Sequence, residues 1–409
     1  MSVRFLHTSD WHLGHQLHGH DRAAEHRAFL NWLLDRAEAD AVDALLVAGD
    51  IYQTSNPPAA AEQLFYDFLA EARSRLPDMA IAIIAGNHDS APRLIAARAM
   101  YKHLGVHVVG AAPFTRDAGD ALQRVQTASG DFWIGAVPFI RPSDLRPSVL
   151  REHGPAAATA ERYASVYEAY AARAKADEPL VWMGHAHIRG GRPTDSERDL
   201  VRGAEEALPP SIFGDGFAYA ALGHLHLAQE VEGAAGPIRY AGSPIPLSLA
   251  ETTYPHQVLR VDLEDGRARV ASLLVPRHVD LIRFGQDDPK GPDETLAALQ
   301  AEAFDGSLPR ERWPFIEVSV FLEEPAVDLA ERILGVLANK PVRFLRIDSR
   351  RAASMRTRLG DRVFDRDLSD LDPEEVLTEF HRAERGAEPS EALLQAFREL
   401  QAGVLACES

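Results

Sequence analysis

From its first residues the chain alternates short apolar runs with segments whose apolar positions recur at helical spacing. "VRFLHTSD" reads as a buried strand ending in polar residues. "EHRAFLNWLLDRAEAD" sets Phe29, Trp32, Leu33 and Ala37 on one helical face. "ALLVAGD" is apolar again and "AAEQLFYDFLAEARSRL" helical. "AIAIIAGNHD" is apolar, and the helical "APRLIAARAMYKHLG" precedes "VHVVG". Strands separated by helices of this length predict a parallel or mixed sheet with helices packed outside it. The first three strands each end in side chains able to bind metal, and in such sheets sites collect at the carboxyl ends of strands.

After about residue 178 strands dominate: "PLVWMGHAHI", "YAALGHLHLAQ", "IRYAGSPIPLS", "QVLRVDLE" and "RVASLLVP". They predict a second sheet stacked on the first. A boundary follows near residue 280. Beyond it "DETLAALQAEAF" and "AVDLAERILGVLANK" read as helices. In "FIEVSVFL", Ile316, Val318, Val320 and Leu322 alternate with more polar neighbours, as in a half-buried strand, and "PVRFLRIDSR" is its partner. "SRRAASMRTRLGDR", with five arginines, reads as a solvated linker. The predicted division is 1–279, a small α/β domain over 280–350, a linker over 351–371 and a helical segment over 372–409. That last segment opens with Asp372 as N-cap, Pro373 at the first helical position and Glu375 at the third. Val376, Leu377 and Phe380 form one apolar stripe, and Leu393, Leu394, Phe397 and Leu400 a second. Two such helices suit either docking on their own domain or capture of a partner.

A length of 409 residues exceeds what one hydrophobic core usually takes. Composition is that of a folded globular protein, 46% hydrophobic and 25% charged. The net charge of −18 argues against coating nucleic acid by bulk electrostatics, though not against a nuclease whose metal ions and arginines act locally. With Cys407 as the single cysteine there is no intrachain disulfide framework and no zinc–thiolate cluster. No secretory signal and no run of about 18 apolar residues is read, so the expectation is a cytoplasmic protein.

Five short stretches share a chemical theme: Asp10 and His12 in "SDWH", Asp50 in "AGD", Asn87, His88 and Asp89 in "GNHD", His185 and His187 in "GHAH", and His224 and His226 in "GHLH". Singly each is weak, because an isolated histidine is more often a core or surface residue than a ligand. All five at strand ends predict a binuclear metal site. Carboxylate, imidazole and amide without thiolate favour manganese, iron or zinc over calcium. A carboxylate that bridges two ions is what two-metal hydrolysis requires, and Asp50, alone at its strand end, is the natural bridge.

These motifs in this order resemble the calcineurin-type metallophosphoesterase superfamily. More closely, "HTSDWHLG", "GDIYQTSNPP", "AGNHDS", "GHLH" and "YAGSP" resemble the bacterial SbcD family, nuclease subunits of SbcCD complexes acting in DNA repair and recombination. The resemblance implies an α/β fold, a two-sheet αββα sandwich over 1–279, with a capping domain and a C-terminal helical hairpin that binds the SbcC ATPase. It implies a double-strand 3′–5′ exonuclease and single-strand or hairpin endonuclease using two divalent ions, manganese above others. Asp10, His12, Asp50 and His226 would hold one ion, and Asp50, Asn87, His185 and His224 the other. His88 would serve as acid or transition-state stabiliser, with Asp89 and His187 supporting the ligands. At the position of Gln53 the family usually has an acid or a histidine that orients the catalytic histidine, so the pH profile is expected to differ.

His15, His18 and His20, with Arg22, form a loop beside the site. A solvated loop and contact with the DNA backbone are equally open readings. Arg93, Arg141, Arg189 and Arg192 are further candidates for phosphate. The resemblance also implies a homodimer within a heterotetramer, with Leu64, Phe65, Phe68, Leu94 and Ile95 either as candidate surface or as ordinary core packing onto the sheet, and SbcC docking on Leu377, Phe380, Leu394 and Phe397. Two other readings compete. A small-molecule or phosphoprotein phosphatase would use the same metal core but needs no extra domain or terminal helices. A non-catalytic scaffold would have lost ligands, and none is lost here.

Overall fold

The computed structural model describes residues 2–111, 119–145, 147–175, 177–194, 207–323, 326 and 328–351, with single positions between 374 and 398. The chain divides into two compact units, Met1–Leu281 with Leu308–Pro314, and Ile282–Ser307 with the residues from Phe315 onward.

The first unit holds two six-stranded sheets. In the first, the spatial order is Arg267–Leu274, Gln257–Glu264, Ser2–Thr8, Ala44–Ala48, Ala80–Ile84 and Val106–Val109. Four of these strands run parallel, in register at Phe5 and Ala44, Leu45 and Ile81, and Ile83 and Val108. In the second, the order is Gln229–Val231, Ile238–Tyr240, Phe217–Gly223, Leu180–His185, Gly130–Val137 and Leu122–Thr127.

Alternation along each strand assigns the faces. Phe5, Leu46, Ala48 and Ile84 of the first sheet meet Ile134, Val181, Met183 and Tyr219 of the second. Phe5 stacks on Phe132 at 6.1 Å and meets Tyr219 edge-on at 5.6 Å. Full burial of a side chain of this size contributes about 1.5–3 kcal/mol. The intervening residues, Leu6, Leu45, Val47 and Ile83, pack outward against helices Ala23–Ala39 and Ala59–Arg75. On the far side Trp182 and Leu222 pack on Tyr163 and Val166 of Pro147–Ala171, a helical segment broken at Gly154. The layering is therefore helix, sheet, sheet, helix. Strands buried on both faces read as unbroken apolar runs, which is why their alternation is faint in the sequence.

Three expectations are corrected here. "QVLRVDLE" and "RVASLLVP" join the first sheet, not the second: Gln257–Glu264 lies antiparallel to Ser2–Thr8, with Phe5 opposite Val261. A chain that returns across the sandwich leaves no local mark of which sheet it rejoins. Leu64, Phe65, Phe68 and Leu94 are buried in the core of their own unit, and Ile95 packs against it, so they form no free dimer surface. The exposed apolar residues nearby are Tyr66 and Met100.

The third correction lies in the second unit. Its three-stranded sheet runs Leu281–Phe284, Phe315–Leu322, Arg343–Arg351, covered by helices Pro292–Ala301 and Leu329–Leu337. Phe315–Leu322 is almost wholly buried, not half-buried. Glu317 is fully enclosed because Arg283 and Arg346 take its two oxygens at 2.5 and 2.7 Å. The predicted linker from 352 onward and the cap at Asp372 lie outside the described residues, as does Phe380. Leu377, Leu394 and Phe397 occupy helical positions and are half-buried. Among the described residues no helix is long and apolar enough to cross a membrane.

Candidate metal centre

The parallel strands of both sheets present their carboxyl ends on the same side of the sandwich. Asp10 and His12 follow Ser2–Thr8, Asp50 follows Ala44–Ala48, Asn87 and His88 follow Ala80–Ile84, His185 ends its strand, and His224 and His226 follow Phe217–Gly223. Past each strand the backbone turns sharply. Asp10, His12, Asp50 and His224 all have positive φ, at 53, 49, 51 and 102°. Such backbone costs of order 1–3 kcal/mol per residue and survives where the surroundings over-determine it. Here the next chain segment supplies that support: Asp10 N–H donates to the Gly49 carbonyl and His12 N–H to the Asp50 carbonyl, each at 3.0 Å. Gly86 is required by close approach, since a Cβ there would lie 2.1 Å from Asp50 Oδ1.

The side chains converge. Asp50 Oδ2 lies 3.5 Å from His12 Nε2 and 3.4 Å from His185 Nε2. Asn87 Oδ1 lies 2.9 Å from His185 Nε2 and 3.0 Å from His224 Nδ1. Asp10 Oδ1 accepts the His224 N–H at 3.0 Å, and its Oδ2 accepts the Ser9 hydroxyl at 2.6 Å. Three overlapping trios, Asp10 with His12 and His226, His12 with Asp50 and His88, and Asp10 with Asp50 and His185, have ligand atoms within 4.8 Å of one another.

Charge and burial fit cations. Burial, reinforced by the Asp50 charge, raises Asp10 above the ordinary carboxylate range. Burial also works against Asp50, but His185, His12 and His88 bring its carboxyl well below that range. Burial holds His12 well below its ordinary value and hence neutral, the state that binds metal. Both His12 ring nitrogens are buried without a hydrogen bond. Buried polar atoms are nearly always satisfied, so two orphaned nitrogens between two buried carboxylates fit divalent metal ions.

His88 stands apart in its bonding. Its Nδ1 donates to the backbone carbonyl of Gln53 at 2.8 Å, and its own N–H donates to Asp50 Oδ1 at 2.9 Å. The expected contact through the residue 53 side chain is thereby corrected: the main chain makes it. Asp89 is buried and accepts the N–H groups of Ile51, Tyr52 and Gly86 at 3.1, 3.0 and 2.8 Å, tying the Asp50 and Asn87 loops together. Burial and the Asp50 charge push it up to about 6 against those donors. His187 belongs to none of the trios and faces the Gly191 carbonyl at 3.2 Å.

The candidates for DNA contact separate. His15 lines the cavity of about 220 Å³ with His12, Asn87 and His88. His18, Arg189 and Arg192 are exposed. Arg93 is exposed and bonded to Glu62 and Asn56. Arg22 is corrected: it is fully buried, paired to Glu25 through two nitrogens and to the Pro246 carbonyl at 2.8 Å. Arg141 is half-buried, with one guanidinium nitrogen donating to the Asp89 carbonyl at 2.7 Å and the group 5.7 Å from the Phe139 ring centroid. Sequence reading missed Glu251, buried behind His226, because nothing in "SLAETT" marks it.

Fold and ligand cluster together define a phosphoesterase. Residues 3–228 match the calcineurin-like phosphoesterase family, and 277–385 match a domain described as Type 5 capsule protein repressor C-terminal domain. The chain is 36% identical to the SbcD component of nuclease SbcCD from Rhodobacter capsulatus, over 83% of this chain and 86% of that one. It is 33% identical to the Escherichia coli K12 protein of the same name, over 91% of each chain. The Bacillus subtilis protein of that name is 35% identical over 64% of this chain and 67% of its own. The chain belongs to the SbcD family of calcineurin-like phosphoesterases, and it is a hydrolase.

Proposed function

We propose that the chain is the nuclease component of an SbcCD complex and cleaves DNA phosphodiester bonds at the centre built around Asp50. The observation that carries this is one carboxylate oxygen set between His12 and His185, within a buried shell of nitrogen and oxygen donors. In this reading Asp10, His12, Asp50 and His226 hold one divalent ion, and Asp50, Asn87, His185 and His224 the other, manganese in each case. Bound ions supply Lewis acidity, lowering the pKa of a water and neutralising charge on the phosphate.

The protein's own groups do the rest. The Gln53 carbonyl holds one hydrogen of His88 on Nδ1, so the ring acts as an acid from its imidazolium form, giving the second proton, on Nε2, to the departing oxygen and returning to the neutral Nδ1–H ring. Asp89 holds the Asp50 and Asn87 loops at fixed separation. Phe139 stacks on His224 with ring centroids 6.3 Å apart. His15 and His18, with Arg93, Arg141, Arg189 and Arg192, are the remaining groups we assign to the DNA backbone. Residues 280–350 serve as a capping domain. Leu377, Phe380, Leu394 and Phe397 dock SbcC, and two copies of the chain join in a heterotetramer acting in the cytoplasm. Cleavage is exonucleolytic from 3′ ends of duplexes and endonucleolytic on single strands and hairpins.

The test is a manganese-dependent assay of the purified chain on linear and hairpin DNA, beside an aryl phosphate ester, with His88→Ala as control and with and without SbcC. DNA cleavage lost in the variant supports the nuclease. Ester turnover with no DNA cleavage, even with SbcC present, moves the assignment to a phosphatase.

A further inference from the structure

We propose that Glu251 is a positioning residue: it fixes the tautomer and direction of His226 and so sets the affinity of the ion held on that side. This rests on the metal assignment proposed above. Glu251 lies on the short helical turn Leu249–Thr253 and is fully buried. Its Oε1 lies 3.0 Å from His226 Nδ1. The hydroxyl of Ser248 donates to the same oxygen at 3.4 Å, and Oε2 accepts the Leu247 N–H at 2.8 Å and the Ser243 hydroxyl at 3.3 Å. These four bonds fill the acceptor capacity of a carboxylate.

A carboxylate only accepts, so His226 Nδ1 is the donor and carries the ring hydrogen. The lone pair is then on Nε2, and the ring satisfies Glu251 while offering a ligand nitrogen. The other histidines of the centre are backed differently. His185 Nδ1 meets the neutral Ala48 carbonyl, and His224 Nδ1 faces the Asn87 amide oxygen, itself a ligand of the same ion in this assignment. A carboxylate behind an imidazole raises its strength as a ligand and fixes its orientation, and loss of such a partner typically costs ten- to a hundredfold in metal affinity. The ion served by His226 therefore gains a ligand backed by a carboxylate.

The support under Glu251 is stiff. The Ser243 N–H donates to the His226 carbonyl at 3.1 Å, so the segment is pinned to the residue it orients. Arg22 takes the Pro246 carbonyl at 2.8 Å. If His226 swings, the carboxylate is not free to follow it.

The experiment is a titration of the full chain with manganese, followed by calorimetry and by the electron paramagnetic resonance of free ion, with metal-free thermal unfolding as control. The wild type should bind two ions. Glu251→Gln should weaken one of them about ten- to a hundredfold and leave the other unchanged, in a metal-free protein that still unfolds in one cooperative transition. Two ions at wild-type affinity, or both lost alongside a collapsed Tm, would overturn the proposal. A second measurement needs no variant of Glu251. Nitrogen NMR of the metal-free wild type, assigned with His226→Gln, should show the Nδ1–H tautomer at His226, and the Nε2–H tautomer would sink the idea. A wild type that binds no manganese overturns the metal assignment, whereas two ions in the wild type and an unaffected variant remove the role of Glu251 alone.

Discussion

Asp50 and His185 come from different sheets, yet Asp50 Oδ2 lies 3.4 Å from His185 Nε2. Asp50 follows a strand of the first sheet and His185 ends a strand of the second. Their meeting shows that the centre is assembled by stacking the sheets, not by either one alone. It also explains the strength of their coupling: against burial, which would lower it, Asp50 with Asp10 raises His185 to about 9.

Asp50→Asn should therefore remove both ions. The amide keeps the shape but loses the charge shared between His12 and His185. Elemental analysis after dialysis should find no bound manganese in the variant and two ions in the wild type. Retention of one ion would show that Asp50 does not bridge.

His88→Ala should lower kcat on DNA by about 10²–10⁴-fold, the usual contribution of a general acid, with metal content unchanged. Gln53→Ala should leave the pH–rate profile in place, because His88 is held by the residue 53 main chain. A shifted profile in Gln53→Ala would restore a role for its side chain.

Arg22→Leu should destabilise the fold, not the DNA complex. The change leaves Glu25 buried without its partner, at a cost of about 3–5 kcal/mol. Chemical denaturation should show that loss, and Arg22→Leu with Glu25→Leu should recover much of it. The salt dependence of DNA binding should match the wild type. A reduced salt slope would return Arg22 to the list of phosphate contacts.

Glu178 offers a test by pH. The Trp133 indole donates to it at 2.8 Å and Arg124 at 2.6 Å, and together they hold its carboxyl down to about 2 from an ordinary 4.5. A group with a lowered folded-state pKa adds stability that is fully present above its unfolded value and is lost as pH falls towards the folded one. Glu178→Gln should accordingly lower Tm at pH 7, and the gap to wild type should close between pH 4.5 and 2. A gap that persists at pH 2 would mean that the carboxylate charge is not what stabilises the contact.

The sequence by itself determined the parts that depend on neighbours along the chain. Apolar runs of strand length and helices such as Ala23–Ala39 follow from local periodicity. Asp50, Asn87, His185 and His224 were legible because each follows a glycine at the end of an apolar run, where backbone must turn and a polar group has no place in the core. Tertiary structure decided what depends on distant segments. Which sheet Gln257–Glu264 joins, the burial of Arg22, and the choice of the Gln53 carbonyl over its side chain all depend on neighbours far away in sequence. Glu251 is the clearest case. A glutamate in a polar stretch reads as a surface residue, and only the fold encloses it, fills its acceptors and sets it behind His226. A buried charge is tolerated where partners converge on it, and convergence is a property of three dimensions.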